Sequence, residues 1–309
     1  MKPSRLASGI KGGDRRALSK GITLAESGSD GASKLLNELR PPGRAFVLGI
    51  TGPPGTGKST LVDRLIDLYR KRGLRVGVIA VDPTSPITGG ALLGDRIRML
   101  DHSDDDGVFI RSMASRGWTG GLSKATSQVI QLLDAAGYDV VLLETVGIGQ
   151  SDIDVMRVSH AVMVVLMPGL GDDIQVSKAG LMEIGDVYVV NKADLEGSDA
   201  LVVNILSVVR GMKPRAPAVV NVSAYTGEGL DKLEAAIDSV RSRFDQGDEG
   251  LRLRSATGML TETAKWMLSE RLDAASGKAE ELAMLVVKGK LTVDEAAARL
   301  LEWPATSRR

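Results

Sequence analysis

The stretch Gly52 to Thr60, GPPGTGKST, decides the fold of this chain. It carries the pattern G-x-x-x-x-G-K-[ST] at Gly52, Gly57, Lys58 and Ser59, and it directly follows the apolar run AFVLGIT. A strand, a glycine-rich loop and a helix in that order form a phosphate-binding loop. Gly52, Gly55 and Gly57 let successive backbone N–H groups turn inward onto phosphate oxygens, and a helix starting near Lys58 adds its positive end. Pro53, Pro54, Thr56 and Thr60 complete the cradle. Lys58 is expected on the β- and γ-phosphates, and the Ser59 hydroxyl on Mg²⁺.

Outward from the loop, short continuous apolar runs cover residues 45–51, 75–81, 138–143, 161–167, 186–190 and 217–222, with a shorter run at 108–110. Runs apolar on both faces, alternating with amphipathic helices such as 58–72, predict an α/β fold: a P-loop NTPase with a mostly parallel, doubly wound sheet. Residues 14–39 read as two short helices ended by Pro41-Pro42-Gly43. Residues 251–303 carry further amphipathic helical patterns, with Met259, Thr263, Trp266 and Met267 on one and Leu291, Ala296, Leu300 and Leu301 on another. The expected organisation is an N-terminal helical extension (1–42), a nucleotide-binding domain (43–247) and a C-terminal helical arm (248–309). The arm must bury its apolar faces either on its own subunit or across a dimer.

Composition narrows the function. A formal net charge of zero gives no reason to expect nucleic-acid or membrane affinity, and no apolar run approaches a membrane span. A soluble, cytoplasmic protein is expected. With no cysteine and two distant histidines, His102 and His160, which read as structural residues, the chain lacks the ligand clusters of a metal-delivery protein.

In a doubly wound sheet the chemistry gathers at the carboxyl ends of the strands. After 138–143 comes ETVGIGQSD, where Glu144 is placed for the Mg²⁺ shell and Gly147 for an N–H to the γ-phosphate. After 75–81 come Asp82 and, beyond a Thr/Ser/Pro/Gly-rich loop, Asp95; either carboxylate is suited to complete the metal site or orient water. After 186–190 comes NKADL: the Asp194 carboxylate can accept from guanine N1–H and N2 amino together, a donor pair adenine lacks. Asn191 would brace the loop or meet the ring edge, and the Lys192 stem would cover a base face. One strand further, in NVSAYTGEGL, Ser223 would hold a loop whose Ala224 N–H reaches guanine O6, with Tyr225 beside it. The series reads as a Mg²⁺-dependent guanine-nucleotide site hydrolysing GTP to GDP. Ile148 stands where Ras-like enzymes place a water-orienting glutamine, so slow intrinsic turnover that rises with a partner is expected. Asp82, Gln150, Asp152 and Lys178 are the groups placed to assist, Lys178 by offsetting phosphoryl charge.

The blocks GPPGTGKST, VDPTSP…TGGALLGDRIRM, LETVGIGQSD, MPGLGDDIQVSKAG and NKADL, in this order, resemble the MeaB/ArgK family of P-loop GTPases, relatives of the methylmalonic aciduria type A protein. The likeness covers roughly residues 14–270. It implies a homodimer that chaperones an adenosylcobalamin-dependent methylmalonyl-CoA mutase or a related mutase, gating cofactor loading and protecting the enzyme. An alternative reading attached to the same family is a kinase or ATPase of an arginine/ornithine (LAO/AO) transport system. In the third switch block Asp172, Gln175 and Lys178 follow the family pattern, whereas Asp173, Ile174, Val176, Ser177 and Ala179 depart from it.

Overall fold

The computed structural model describes residues 3–28, 30–40, 42–82, 102, 104–114, 124–145, 157–169, 181–210 and 216–302. Its elements in chain order are α1 (Pro3–Lys11), α2 (Arg15–Glu26), α3 (Asp30–Leu39), β1 (Phe46–Thr51), α4 (Lys58–Lys71), β2 (Val76–Asp82), β3 (Val108–Ala114) and α5 (Lys124–Ala135). There follow β4 (Val140–Thr145), β5 (Ala161–Leu166), α6 (Leu181–Ile184), β6 (Val187–Asn191), α7 (Ser198–Val209), β7 (Ala218–Val222) and α8 (Leu230–Asp245). The last three helices are α9 (Glu249–Ala274), α10 (Ser276–Val287) and α11 (Val293–Glu302). The chain divides into two compact units, 1–259 and 260–309.

The seven strands of the first unit form one sheet in the order β3-β2-β4-β1-β5-β6-β7, and every pairing is parallel. From β1 the chain crosses to β2 and out to β3, returns to lay β4 between β2 and β1, and then passes to the other side of β1 for β5, β6 and β7. The strand order therefore reverses at β1, where an open α/β sheet binds its ligand. Alternate residues of each strand point to opposite faces. Phe46, Leu48 and Ile50 of β1 join Leu61, Leu65 and Tyr69 of α4 and Leu233, Ile237 and Phe244 of α8 on one face. On the other face Val47, Val141 and Leu143 pack with α5, while Val164, Tyr188 and Val190 pack with α6 and α7. Burial on both faces is why the central strands read as unbroken apolar runs.

The N-terminal region holds three helices rather than the two read from the pattern. α1 contributes Leu6 and Ile10 to the core that also holds Leu18, Ile22 and Leu35 and the inner face of α5. Gly21 is a point of close approach: a Cβ there would lie 3.1 Å from Ile10 and 3.2 Å from Leu35. Asp14 caps α2 by accepting from the Arg16 N–H at 2.8 Å. Buried Asp134, at the end of α5, accepts from the N–H groups of Gly43, Arg44 and Ala45 at 2.6–2.8 Å and so fixes the entry into β1. Arg111 of β3 forms an ion pair with Glu26 of α2.

α9 is anchored within the first unit by Ser255, which donates to Val158 O at 2.8 Å, and by Arg254, which donates to His160 O and to Asp186. Gly258 packs so tightly on Arg157 O that no side chain would fit. In the second unit α10 and α11 pack together. α11 opens with a reciprocal cap: the Glu295 N–H donates to Thr292 Oγ1 at 3.2 Å, and Glu295 accepts from the Thr292 N–H at 2.9 Å. Leu260, Met267, Met284, Val287 and Val293 are exposed on this unit. Among the described residues no helix is long and apolar enough to cross a membrane.

His160 and His102 have structural partners. The His160 ring is buried against Phe46 and Phe244, and its Nδ1 accepts from the Val47 N–H at 2.9 Å. His102 Nε2 lies 3.0 Å from Asp63 of α4. Burial, then the charges of Arg254 and Arg252, push the His160 pKa down to about 4. The unfolded chain takes up this proton near pH 6.5 and the folded chain only near pH 4. The contribution is therefore complete above about pH 6.5 and falls as the pH drops, by up to about 3 kcal/mol. His160→Asn, whose carbonyl can accept in place of Nδ1, should flatten this acid loss when melting temperatures are compared at about pH 7.5 and about pH 5. An unchanged difference would show that other groups carry it.

Candidate functional site

The described site residues converge on the carboxyl edge of the sheet. The phosphate-binding loop leaves β1 after Thr51, Glu144 sits at the end of β4, Asn191 ends β6, and Ser223 follows β7 directly. Glu144 lies inside the strand rather than just beyond it, in register with Ile50 of β1 and Ala80 of β2. Asp82 is the last residue of β2. Gly147, Ile148, Gln150, Asp152, Asp95, Asp172, Gln175 and Lys178 lie outside the described residues, as does the Asp82 side chain.

The loop geometry explains its glycines at two positions. Gly52 has φ 139°, and a Cβ would fall 2.0 Å from Val165 O, so the loop leaves β1 pressed against the backbone of β5. Gly57 has φ 87° and forms the N-cap of α4; a Cβ would fall 2.4 Å from Asn191 Nδ2. Buried Lys58 curls back over the loop, its Nζ donating to Gly52 O at 2.8 Å and Pro53 O at 3.1 Å. The buried Thr56 hydroxyl donates to Pro53 O at 2.9 Å. Pro54 and Gly55 are exposed at the tip of the loop, and Thr60 is half-buried in the first turn of α4.

Ser59 Oγ, also in that first turn, donates to Glu144 Oε1 at 2.7 Å, and both side chains are buried. A hydroxyl and a carboxylate side by side at a helix N-terminus are hard oxygen donors. This donor set fits Mg²⁺, which takes one or two protein oxygens and leaves its other positions to phosphates and water. Such an ion would neutralise phosphate charge.

Asn191 is the centre of the site. Its Nδ2 donates to Thr56 O at 2.7 Å, and its Oδ1 accepts from the Ala224 N–H at 3.0 Å. Of the two roles open to Asn191 in the sequence, the structure displays the bracing one. The Ala224 N–H, expected to reach guanine O6, here donates to Asn191. Lys192 follows in the left-handed region, φ 62°, and the Ala193 N–H donates to Val222 O at 3.0 Å. Asp194 accepts from Ser223 Oγ at 2.7 Å. That hydroxyl, more than the charge of nearby Lys192, holds the Asp194 carboxyl below the usual carboxylate range. Asp194 is thus a fixed, ionised acceptor, the state that a pair of base N–H donors requires. Ser223 holds its own loop as well, receiving the Thr226 N–H at 3.3 Å on its hydroxyl and the Gly227 N–H at 2.8 Å on its carbonyl. Tyr225 is 87% exposed.

Two features had no local sequence signal. One is the wedge between Gly57 and Asn191. The other is Arg64 of α4, whose Nε donates to Ala224 O at 3.0 Å and whose Nη2 donates to Tyr225 O at 3.4 Å. A polar residue on an amphipathic helix carries no mark of such a partner until the fold brings the two together.

The family described as methylmalonyl Co-A mutase-associated GTPase MeaB matches residues 18–279. The chain belongs to this family. MeaB proteins are P-loop GTPases, so the chain is a GTPase. A Pyrococcus horikoshii relative that carries only a provisional GTPase name is 44% identical over 313 residues, 98% of each chain. GTPase ArgK of Escherichia coli is 38% identical over 240 residues, 74% of this chain and 72% of its own. The mouse mitochondrial methylmalonic aciduria type A homolog is 34% identical over 251 residues, 74% of this chain and 60% of its own. Among solved structures, that of a LAO/AO transport system kinase superposes with a TM-score of 0.71 at 26% identity, covering 97% of this chain and 96% of the other.

Asn191→Ala removes both bonds of the bridge and should weaken GTP and GDP binding together, each by about tenfold or more. Gly57→Ala, which sets a methyl group against the same amide in a backbone conformation costly for L-residues, should do at least as much. Calorimetric titration with both nucleotides checks this; unchanged affinity in Asn191→Ala would mean the bridge does not organise the site.

Proposed function

We propose that the chain is a Mg²⁺-dependent guanine-nucleotide switch that serves an adenosylcobalamin-dependent methylmalonyl-CoA mutase or a close relative of that enzyme, gating cofactor loading and protecting the mutase. The observation that carries the nucleotide half is the Asn191 bridge with Asp194 held beside it, which ties a phosphate loop to a carboxylate suited to guanine. The mutase half is supported by the family's description and by the name of the mouse relative.

In this reading Gly52 to Thr60 cradle the phosphates, with Lys58 moving from the loop carbonyls to the β- and γ-oxygens. Ser59 and Glu144 hold the metal, joined by Asp82 or Asp95. Asp194 selects the base, Asn191 and Ser223 brace the loops, and Lys192 and Tyr225 flank the ring. Gly147 senses the γ-phosphate and Lys178 assists hydrolysis, with a partner raising a slow intrinsic rate. The protein works as a cytoplasmic homodimer, its exposed apolar side chains on the 260–309 unit supplying the contact. The likeness to the solved LAO/AO transport system kinase favours a second reading, in which the nucleotide serves a transport-system kinase. That reading requires phosphoryl transfer to an acceptor and places no demand on guanine.

Three measurements test these assignments. Asp194→Asn replaces an acceptor with a group that can donate to the C2 carbonyl of xanthine, so GTP affinity should fall by about tenfold or more while affinity for xanthosine triphosphate rises. A wild-type preference for ATP over GTP would overturn the base assignment. Ser59→Ala should raise the Mg²⁺ concentration needed for half-maximal hydrolysis by about tenfold, and an unchanged requirement would remove Ser59 from the metal site. For the client, the purified mutase should bind in calorimetry and raise the GTPase rate; neither binding nor stimulation would sink the mutase assignment and leave the GTPase intact.

A further inference from the structure

The Ala224 backbone is held at both ends by groups from outside its loop. Its N–H is bound by Asn191, which also reaches Thr56, and its carbonyl is bound by Arg64, which continues to the Tyr225 carbonyl. Ser223, one residue before it, carries the hydroxyl that orients Asp194. Arg64 lies six residues beyond Lys58 on the helix whose N-terminus faces the phosphates. A helix, a charge-assisted bond, the Ala224 backbone and the Ser223 hydroxyl therefore connect the phosphate end of the site to the carboxylate at its base end.

From this geometry we infer that Arg64 is a positioning residue for base selection, suspending the Ser223–Tyr225 loop from the phosphate-binding helix so that Asp194 meets the N1–H and N2 amino of guanine in register. The guanidinium suits the task. Two of its N–H groups form a planar fork that engages two successive carbonyls, a geometry a lysine ammonium reproduces poorly. Bonds from a charged donor are also about twice as strong as neutral ones. Without Arg64 the Asn191 bond still holds the loop on one side. The loop then pivots about it, and Ser223 carries the Asp194 carboxylate out of line. Phosphate binding, which depends on the loop amides and Lys58, is left in place.

Another arginine on α4's C-terminal end separates this role from simple helix packing. Arg72, the C-cap of α4, pairs with Glu234 at 3.1 Å and Asp238 at 2.7 Å, tying α4 to α8 rather than to the Ser223–Tyr225 loop. If Arg64 only fastened elements together, removing Arg72 would mimic its loss.

The inference rests on the guanine-nucleotide reading, and the experiment keeps the two apart. Full-length wild type, Arg64→Ala, Arg64→Lys and Arg72→Ala are titrated calorimetrically with GDP, IDP and inorganic pyrophosphate at constant Mg²⁺. Inosine keeps N1–H and O6 but lacks the N2 amino group, so the GDP:IDP affinity ratio reports how well Asp194 engages both donors. Arg64→Ala should weaken GDP by about tenfold, lower the GDP:IDP ratio by about threefold or more and change pyrophosphate affinity by less than about twofold. Arg64→Lys should recover part of the ratio, and Arg72→Ala should leave it at the wild-type value. An unchanged ratio in Arg64→Ala, an equal loss of pyrophosphate binding, or the same drop in Arg72→Ala would overturn the inference. A wild type that does not distinguish GDP from IDP would instead overturn the guanine reading beneath it.

Discussion

One side-chain amide organises the nucleotide end of this protein. Asn191 uses a donor and an acceptor at once, pulling Thr56 of the phosphate loop and Ala224 of the loop after β7 onto the end of β6. It is buried, so each of these bonds replaces solvation that is no longer available, and losing one would strand a polar group at a cost of about 1–3 kcal/mol. The positive φ of Gly57 and the absence of a side chain there follow from the same requirement, since the amide occupies the space a Cβ would need. The parallel sheet makes this possible, because β1, β6 and β7 all deliver their carboxyl ends to one edge.

The described side chains of the site hold one another in place. Lys58 rests on the carbonyls of its own loop, Ser59 on Glu144, and Asp194 on Ser223. Each of these three groups has a partner within the site that keeps it oriented. The bracing of Asp194 and of the loops beside it carries part of the ordering cost that a nucleotide would otherwise meet.

Much of this is legible in the chain. The strands stand out because both faces of the sheet are buried, so Phe46–Ile50 and Val140–Leu143 have no polar alternation to disguise them. NKADL stands out because Asp194 is a carboxylate in a place where a strand must end. The helix α1 is not legible. Its sequence, PSRLASGIK, is short and weakly apolar, and its burial comes from α2, α3 and α5 rather than from its own periodicity. Glu144 reads as lying just past its strand because a polar residue ends the apolar run, whereas its bond to Ser59 lets a carboxylate sit inside the sheet. The Ala224 N–H reads as free for the base because nothing local reveals an acceptor 33 residues away. The link between Thr56 and Asn191 spans 135 residues and exists only once the sheet has ordered its strands.

Asp134 gives the N-terminal helices a significance that their position beside the sheet does not suggest. Its carboxylate is buried, and the three amides that satisfy it belong to the segment joining α3 to β1. A chain beginning at residue 46 would keep the carboxylate and lose every one of those donors, so that the end of α5 no longer held the entry into β1. The first forty-odd residues are thus an electrical as well as a mechanical part of the nucleotide-binding fold. Shortening the protein from this end would first remove the apolar contacts of Leu6 and Ile10 and, once it reached residue 43, the amides that hold Asp134.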